Sequence, residues 1–174
     1  MLRLLPWDET GLALLHAGNT PEQKRYLGGI ETQSKLRARH SRYLTYHRPG
    51  DTEILRVDLG GEIAGSVIYW LTDRNGAPSY EAGWEILAPF QGKGVGGAAV
   101  AAMLARLKLV ARQRFVFATP TPDNPGSNGI CRKLGFELTG VEDVEYPKGV
   151  VSPHNVWRLD LEAWEPPVAG AGRD

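Results

Sequence analysis

Gln91-Gly92-Lys93-Gly94-Val95-Gly96-Gly97 lies between an apolar extended run, Glu85-Ile86-Leu87-Ala88, and an alanine-rich helical run over residues 98–111. Four glycines at a strand-to-helix junction strip away side chains, so main-chain N–H groups can crowd around an anion. The helix that follows adds its unpaired first-turn donors and the positive end of its dipole. The stretch reads as a phosphate cradle, and the question it poses is which phosphate ligand it holds.

Three readings compete on the residues alone. Gly92 through Gly97 formally satisfies G-x-G-x-x-G, but a dinucleotide fold wants that turn in its first strand–helix–strand unit, with an acidic residue about 20 positions on. Here the turn is mid-chain, and residues 111–120 hold no Asp or Glu. A Walker-type loop needs Gly-Lys followed by Ser or Thr, which is absent. A purely structural turn accounts for two glycines and leaves the other two, Gln91 and Lys93 unexplained.

Outward from the cradle, the pattern predicts a strand over residues 79–87 before it and a helix to about Val110 after it. That helix carries Val95, Ala99, Met103, Leu107 and Val110 on one stripe. Two strand-like runs, 53–59 and 63–71, join through Gly60-Gly61, a hairpin signal. Asp73-Arg74-Asn75-Gly76 turns the chain into the strand before the cradle. Further strands are expected over 115–118, 135–141 and 156–161, with a helix over 127–134. Toward the N-terminus, residues 2–5 suit a strand, Asp8 caps a helical run through His16, and Thr20-Pro21-Glu22-Gln23 looks like a helix start ending at Gly28-Gly29. Another helix is expected over about 31–46. Helices early, hairpins in the middle and one strand–helix–strand unit indicate a mixed α+β sheet with helices on its faces.

Composition sets the class. At 174 residues the chain suits a single domain, expected over 1–165, with 166–174 a frayed Pro/Val/Ala/Gly tail. Lys plus Arg and Asp plus Glu number 20 each, so no long-range attraction to nucleic acid or anionic membrane is expected. Cys131 is the single cysteine, which excludes an internal disulfide and suits a reducing cytosol. The N-terminal run is too short for a signal peptide, no apolar run reaches membrane-spanning length, and a cytoplasmic protein without a metal is expected.

Two motifs together carry a family resemblance. Gln91-x-x-Gly94-x-Gly96 after a strand resembles the acetyl-CoA pyrophosphate loop of the GCN5-related N-acetyltransferase superfamily. Downstream, Asn124-x-x-Ser127 followed by Lys133-Leu134-Gly135-Phe136 is similar to that superfamily's second signature, at the same spacing. The stretch over 80–91, with Leu27-Gly28-Gly29, looks like the branch of ribosomal-protein alanine and aminoglycoside acetyltransferases. The resemblance implies an acyl-CoA N-acyltransferase fold: α+β, with a mostly antiparallel, V-shaped sheet. It also implies acetyl-CoA as co-substrate and an amine as acceptor.

On that resemblance, Gln91, Gly92, Lys93, Gly94, Val95, Gly96 and Gly97 would hold the pyrophosphate. Leu87 and Ala88 would offer main-chain bonds to the pantetheine arm, and Asn124 and Ser127 would flank it; both are also natural helix-capping residues. Direct transfer needs an amine stripped of a proton, a stabilised oxyanion and a protonated leaving thiolate. Glu81 and Glu85 share a strand face and are the candidate bases. Glu81 matches the glutamate of histone-type relatives, and Glu85 lies nearer the expected thioester. Many relatives place a tyrosine seven residues after the asparagine; here Cys131 stands there, either as the acid or as a small buried side chain. Trp7, His16, Tyr26, His40, Tyr43 and Tyr46 are expected along the acceptor wall. Glu142, Asp143 and Glu145 would draw a cationic amine, and His154 is a remote base candidate. The acceptor remains open among a small cationic amine, an antibiotic amine and a protein N-terminus, the protein being a monomer or homodimer. An acyl-CoA sensor without turnover is the alternative.

Overall fold

Gly60-Gly61 closes the first hairpin, pairing Leu59 with Glu62, and the sheet grows on both sides of it. In the computed structural model, which describes residues 1–167, the elements run in chain order. They are β1 (Leu2–Pro6), α1 (Gly11–Ala17), α2 (Gln33–Tyr43), β2 (His47–Arg48), β3 (Thr52–Leu59), β4 (Glu62–Arg74) and β5 (Ala77–Ile86). After a 3-10 turn at Ala88–Phe90 come α3 (Val95–Lys108), β6 (Phe115–Ala118), α4 (Pro125–Lys133), β7 (Glu137–Glu145) and β8 (Val151–Asp160). The strands order as β1-β3-β4-β5-β6-β8-β7, with β2 beside β3.

All neighbours are antiparallel except β5 and β6. That parallel pair touches at two positions only, Tyr80 with Val116 and Glu81 with Phe117. β5 continues to Ile86 while β6 ends at Ala118, so the two strands part beyond Glu81. This is the V expected of the sheet, and Glu81 stands at its apex.

Helices cover both faces. On one, α3 buries Val95, Ala99, Val100, Met103, Leu104 and Leu107 against Tyr80, Ala82 and Ile86 of β5. Each such aliphatic side chain contributes about 1.5–3 kcal/mol by leaving water. Val110, expected on the same stripe, lies past the helix end and is exposed. On the other face Trp7, Leu14, Leu15, Leu36 and Ile54 form a second core beneath α1 and α2. Glu81, Gly83 and Glu85 of β5 point toward that second face, by strand alternation from the buried Tyr80 and Ala82.

Three local expectations differ. The run from Thr20 to Gly29 forms consecutive turns rather than a helix. Its two closing glycines have φ of +84° and +90°, and Lys24 is drawn inward. The following helix begins at Gln33, where the Thr32 hydroxyl accepts the Lys35 N–H. The last hairpin is longer than expected, because β7 runs to Glu145 and β8 starts at Val151. Of the expected tail, residues 168–174 lie outside the described residues.

Candidate active site

The glycine turn leaves its main chain bare. Gly92 and Gly94 have φ of +71° and +77°, which disfavour any residue with a Cβ, and Gly94 is the N-cap of α3. The first backbone bond of the helix runs from the Ala98 N–H to the Gly94 carbonyl. The N–H groups of Val95, Gly96 and Gly97 therefore keep no helical partner. A Cβ at Gly92, Gly94 or Gly97 would meet nothing within 4 Å. Gly96 differs: its Cβ would lie 2.8 Å from Ile130 Cδ1 and 3.4 Å from Ile86 Cγ1, so its smallness serves helix packing.

The polar side chains of the turn fold back on the chain. Lys93 Nζ donates to the Pro89 carbonyl at 2.7 Å. Gln91 Nε2 donates to the Ile86 carbonyl at 2.7 Å and to Gln23 Oε1 at 2.6 Å.

Between the parted strands, backbone direction decides what the V offers. The Leu87 N–H donates to Ala64 and its carbonyl accepts from Phe90, while the Ala88 carbonyl accepts from Gln91. Leu87 thus turns its main chain toward β4. By alternation, the groups of Ala82, Trp84 and Ile86 face the opening instead. Trp84 Nε1 on one arm and Thr121 Oγ1 on the loop after β6 are buried without a hydrogen-bond partner among the described residues.

The two glutamates sit in different settings. Glu81 Oε1 accepts from the Thr119 hydroxyl at 2.8 Å, a bond that closes the apex of the V. Thr119 is itself fixed, because its carbonyl lies 2.6 Å from Nδ1 of the buried His154. A carbonyl only accepts, so that nitrogen carries the proton, and Nε2 faces the Ser152 hydroxyl at 3.2 Å. His154 is thus a support for Thr119 within β8. Glu85 is instead ion-paired: Lys24 Nζ lies 2.8 and 2.9 Å from its two oxygens, with the Lys24 side chain 2% exposed. Nothing in the sequence marks Lys24 for this role, since a lysine in a polar stretch normally stays in water.

Asn124 caps α4, its Oδ1 accepting the Ser127 N–H at 3.1 Å, and Ser127 is half-buried one turn along. Asn128, which sequence reasoning missed, is 3% exposed and donates to the carbonyls of Thr121 and Asn124. Its Oδ1 accepts from Asn155 and Trp157, so it locks the start of α4 to β8. Cys131 is fully buried in the core, and burial pushes its thiol up to about 12. That setting is the packing alternative of the two that the sequence left open.

The aromatic residues assigned to an acceptor wall fall in different settings. Trp7 and His40 form a buried pair, indole N–H to Nδ1 at 3.1 Å, within the second core. Tyr43 stacks edge-on against Trp7, and Tyr46 lies beside it. Burial raises the hydroxyl of Tyr43, against the lowering influence of Arg39. Burial likewise raises Tyr146, at the tip of the β7–β8 hairpin. That tip leans toward the turns over 20–29, where a Cβ on Gly28 would strike the Pro147 ring at 2.5 Å. The acidic loop is less available than its composition suggests. Glu142 pairs with Arg74 at 2.5 Å and Glu145 accepts the Gly149 N–H at 2.6 Å.

A sheet split between one parallel pair, with a bare-amide turn at the open end of β5, defines an acyltransferase scaffold. The chain belongs to the acetyltransferase (GNAT) domain family, whose sequence model matches residues 1–137. The fold is similar to a Salmonella typhimurium acetyltransferase that modifies the N-terminal serine of ribosomal protein L7/L12. That likeness has a TM-score of 0.77 and 20% identity, over 91% of this chain and 94% of that one. It is also similar to Mycobacterium smegmatis RimJ in complex with a CoA disulfide, at TM-score 0.76 and 18% identity over 92% and 82% of the two chains. The aminoglycoside acetyltransferase AAC(6')-Ib in complex with coenzyme A aligns at TM-score 0.74 and 20% identity, over 92% and 95%. No curated protein matched the sequence.

Proposed function

We propose that the chain moves the acetyl group of acetyl-CoA to a primary amine by direct attack, with Glu81 as general base. The observation that carries this reading is the alignment of three features along β5. Bare N–H groups at residues 92–97 suit a pyrophosphate, the opening beside Ala82, Trp84 and Ile86 suits an amide-bearing arm, and a hydrogen-bonded carboxylate stands at the apex. Within this reading Lys93 and Gln91 exchange internal partners for the ligand, and Asn124 and Ser127 line the far arm of the V.

The bond balance is simple. The amine nitrogen attacks the thioester carbon, its proton passes to Glu81 directly or through water, and the C–S bond breaks as the oxyanion collapses. The thiolate takes a proton from water or from Tyr146, whose raised hydroxyl stays protonated at neutral pH. Glu85, held by Lys24, keeps its charge engaged and is assigned to shaping the cleft rather than to proton transfer. One observation favours the alternative of acyl-CoA binding without turnover: the side chain in the tyrosine position, Cys131, is buried.

The test is CoA release over a panel of amines and peptides, with binding followed by thermal shift. Glu81→Gln should retain acetyl-CoA stabilisation and lose about a hundredfold or more in kcat. Stabilisation by acetyl-CoA with no turnover on any acceptor would support the sensor. No stabilisation at all would remove both readings.

A further inference from the structure

Beside Glu81, on the face away from α3, a hollow of about 400 Å³ opens between α2 and β4, lined by Tyr43, Tyr46, Ile68 and Trp70. Its volume is within the range of small-ligand sites. Two of its lining residues, on β4, stand next to β5. Trp70 is the cross-strand partner of Glu81, and Ile68 is that of Gly83. A Cβ at Gly83 would crowd these two side chains, lying 3.3 Å from Ile68 Cγ2 and 3.7 Å from the Trp70 ring.

The rim carries positive charge. Arg42 and Arg48 border the hollow, and both are exposed. Neither has a carboxylate partner among the described residues, as is also true of Arg25, Arg37 and Arg132; what sets Arg42 and Arg48 apart is their joint place at the mouth of the hollow. Two unpaired guanidiniums at the mouth of an aromatic slot match a planar apolar body that ends in an anion.

We infer that this hollow is the acceptor subsite, and that it selects primary amines carrying an aromatic or apolar body with a carboxylate or phosphate at the far end. The inference rests on the acetyltransferase reading above and names its substrate class. With the amine at Glu81, the body lies along Trp70 and Tyr43 and the anion meets Arg42 and Arg48. The preference is opposite to that suggested by the cluster Glu142, Asp143 and Glu145, two of which are already engaged.

The experiment compares phenethylamine with its para-carboxylate, 4-(2-aminoethyl)benzoate, as acceptors in CoA release, and as ligands of the CoA-bound protein by tryptophan fluorescence. The carboxylate should raise kcat/KM about tenfold over the neutral amine, the effect of one good charge-assisted contact. In Arg42→Gln/Arg48→Gln the ratio should collapse toward one. Equal kcat/KM for the two amines, unchanged by the double substitution, would overturn the subsite while leaving acetyl transfer intact. If neither amine turns over, binding decides. Carboxylate-dependent, arginine-dependent quenching upholds the subsite without the activity, and its absence overturns the subsite.

Discussion

A side chain's surroundings, more than its type, separate the reactive residues from the inert ones here. Cys131 stands where the family resemblance leads one to expect a tyrosine, yet it is fully buried and its thiol is pushed up to about 12 by desolvation. Cys131→Ala is expected to keep near-normal turnover and to lose about 1 kcal/mol of stability through the small void it leaves. The native thiol should resist alkylation at neutral pH until the protein unfolds. A large fall in kcat without loss of stability would reinstate the thiol as the acid. Position gave Cys131 as a candidate, and only packing could sort its two roles. Asn128 and Lys24 show the converse. Both are common polar residues with no sequence signature, and each gained its role through tertiary partners, Trp157 and Asn155 for one and Glu85 for the other.

At the level of elements, the turn and its helix were legible because glycine content and helical periodicity are local properties. Gly94 holds φ of +77° at the start of α3. Gly94→Ala is expected to cost about 1 kcal/mol in backbone strain and to raise the KM for acetyl-CoA about fivefold, with kcat changed less. Steady-state kinetics at saturating acceptor would measure it; an unchanged KM would detach the turn from the coenzyme. The hairpin through Gly60-Gly61 and the strand before the cradle were equally readable. The run over 20–29 was not. Thr-Pro-Glu-Gln is a sound helix start, but the buried Lys24–Glu85 pair and the contact of Gly28 with Pro147 reward a tighter path than a helix allows. The β7–β8 hairpin was underestimated for a related reason. Acidic residues have low strand propensity, and pairing with β8 overrode it.

For the molecule as a whole, a buried ionic cluster ties β2, β3, β4 and α3 together away from the V. Glu53 is fully buried and accepts two bonds from Arg106, at 2.7 and 2.9 Å, and one from the Tyr69 hydroxyl, with His47 at 3.2 Å. Burial alone would raise its carboxyl, but the Arg106 bonds and charge, the Tyr69 hydroxyl and His47 together hold it below its ordinary value of 4.5. A depressed carboxyl stabilises the fold above its unfolded value and loses that contribution as pH falls through the folded one. Glu53→Gln should therefore lower Tm at neutral pH, by a change worth about 2 kcal/mol once the half-exposed Arg106 is discounted. The gap from the parent should close below pH 4.5. A gap that persists in acid would assign the loss to packing.

The strand β7 ends the sheet, and every residue of it but Val144 is exposed. At alternate residues its outer side bears peptide groups without a partner strand among the described residues, the kind of seam along which two molecules can zip into a shared ribbon. Glu137 and Glu142 are paired there with Arg158 and Arg74, so the seam's excess charge is that of Asp143 and Glu145, and two such borders brought together would still meet as like charges. The molecule can carry a long raw hem because it is stitched with acid.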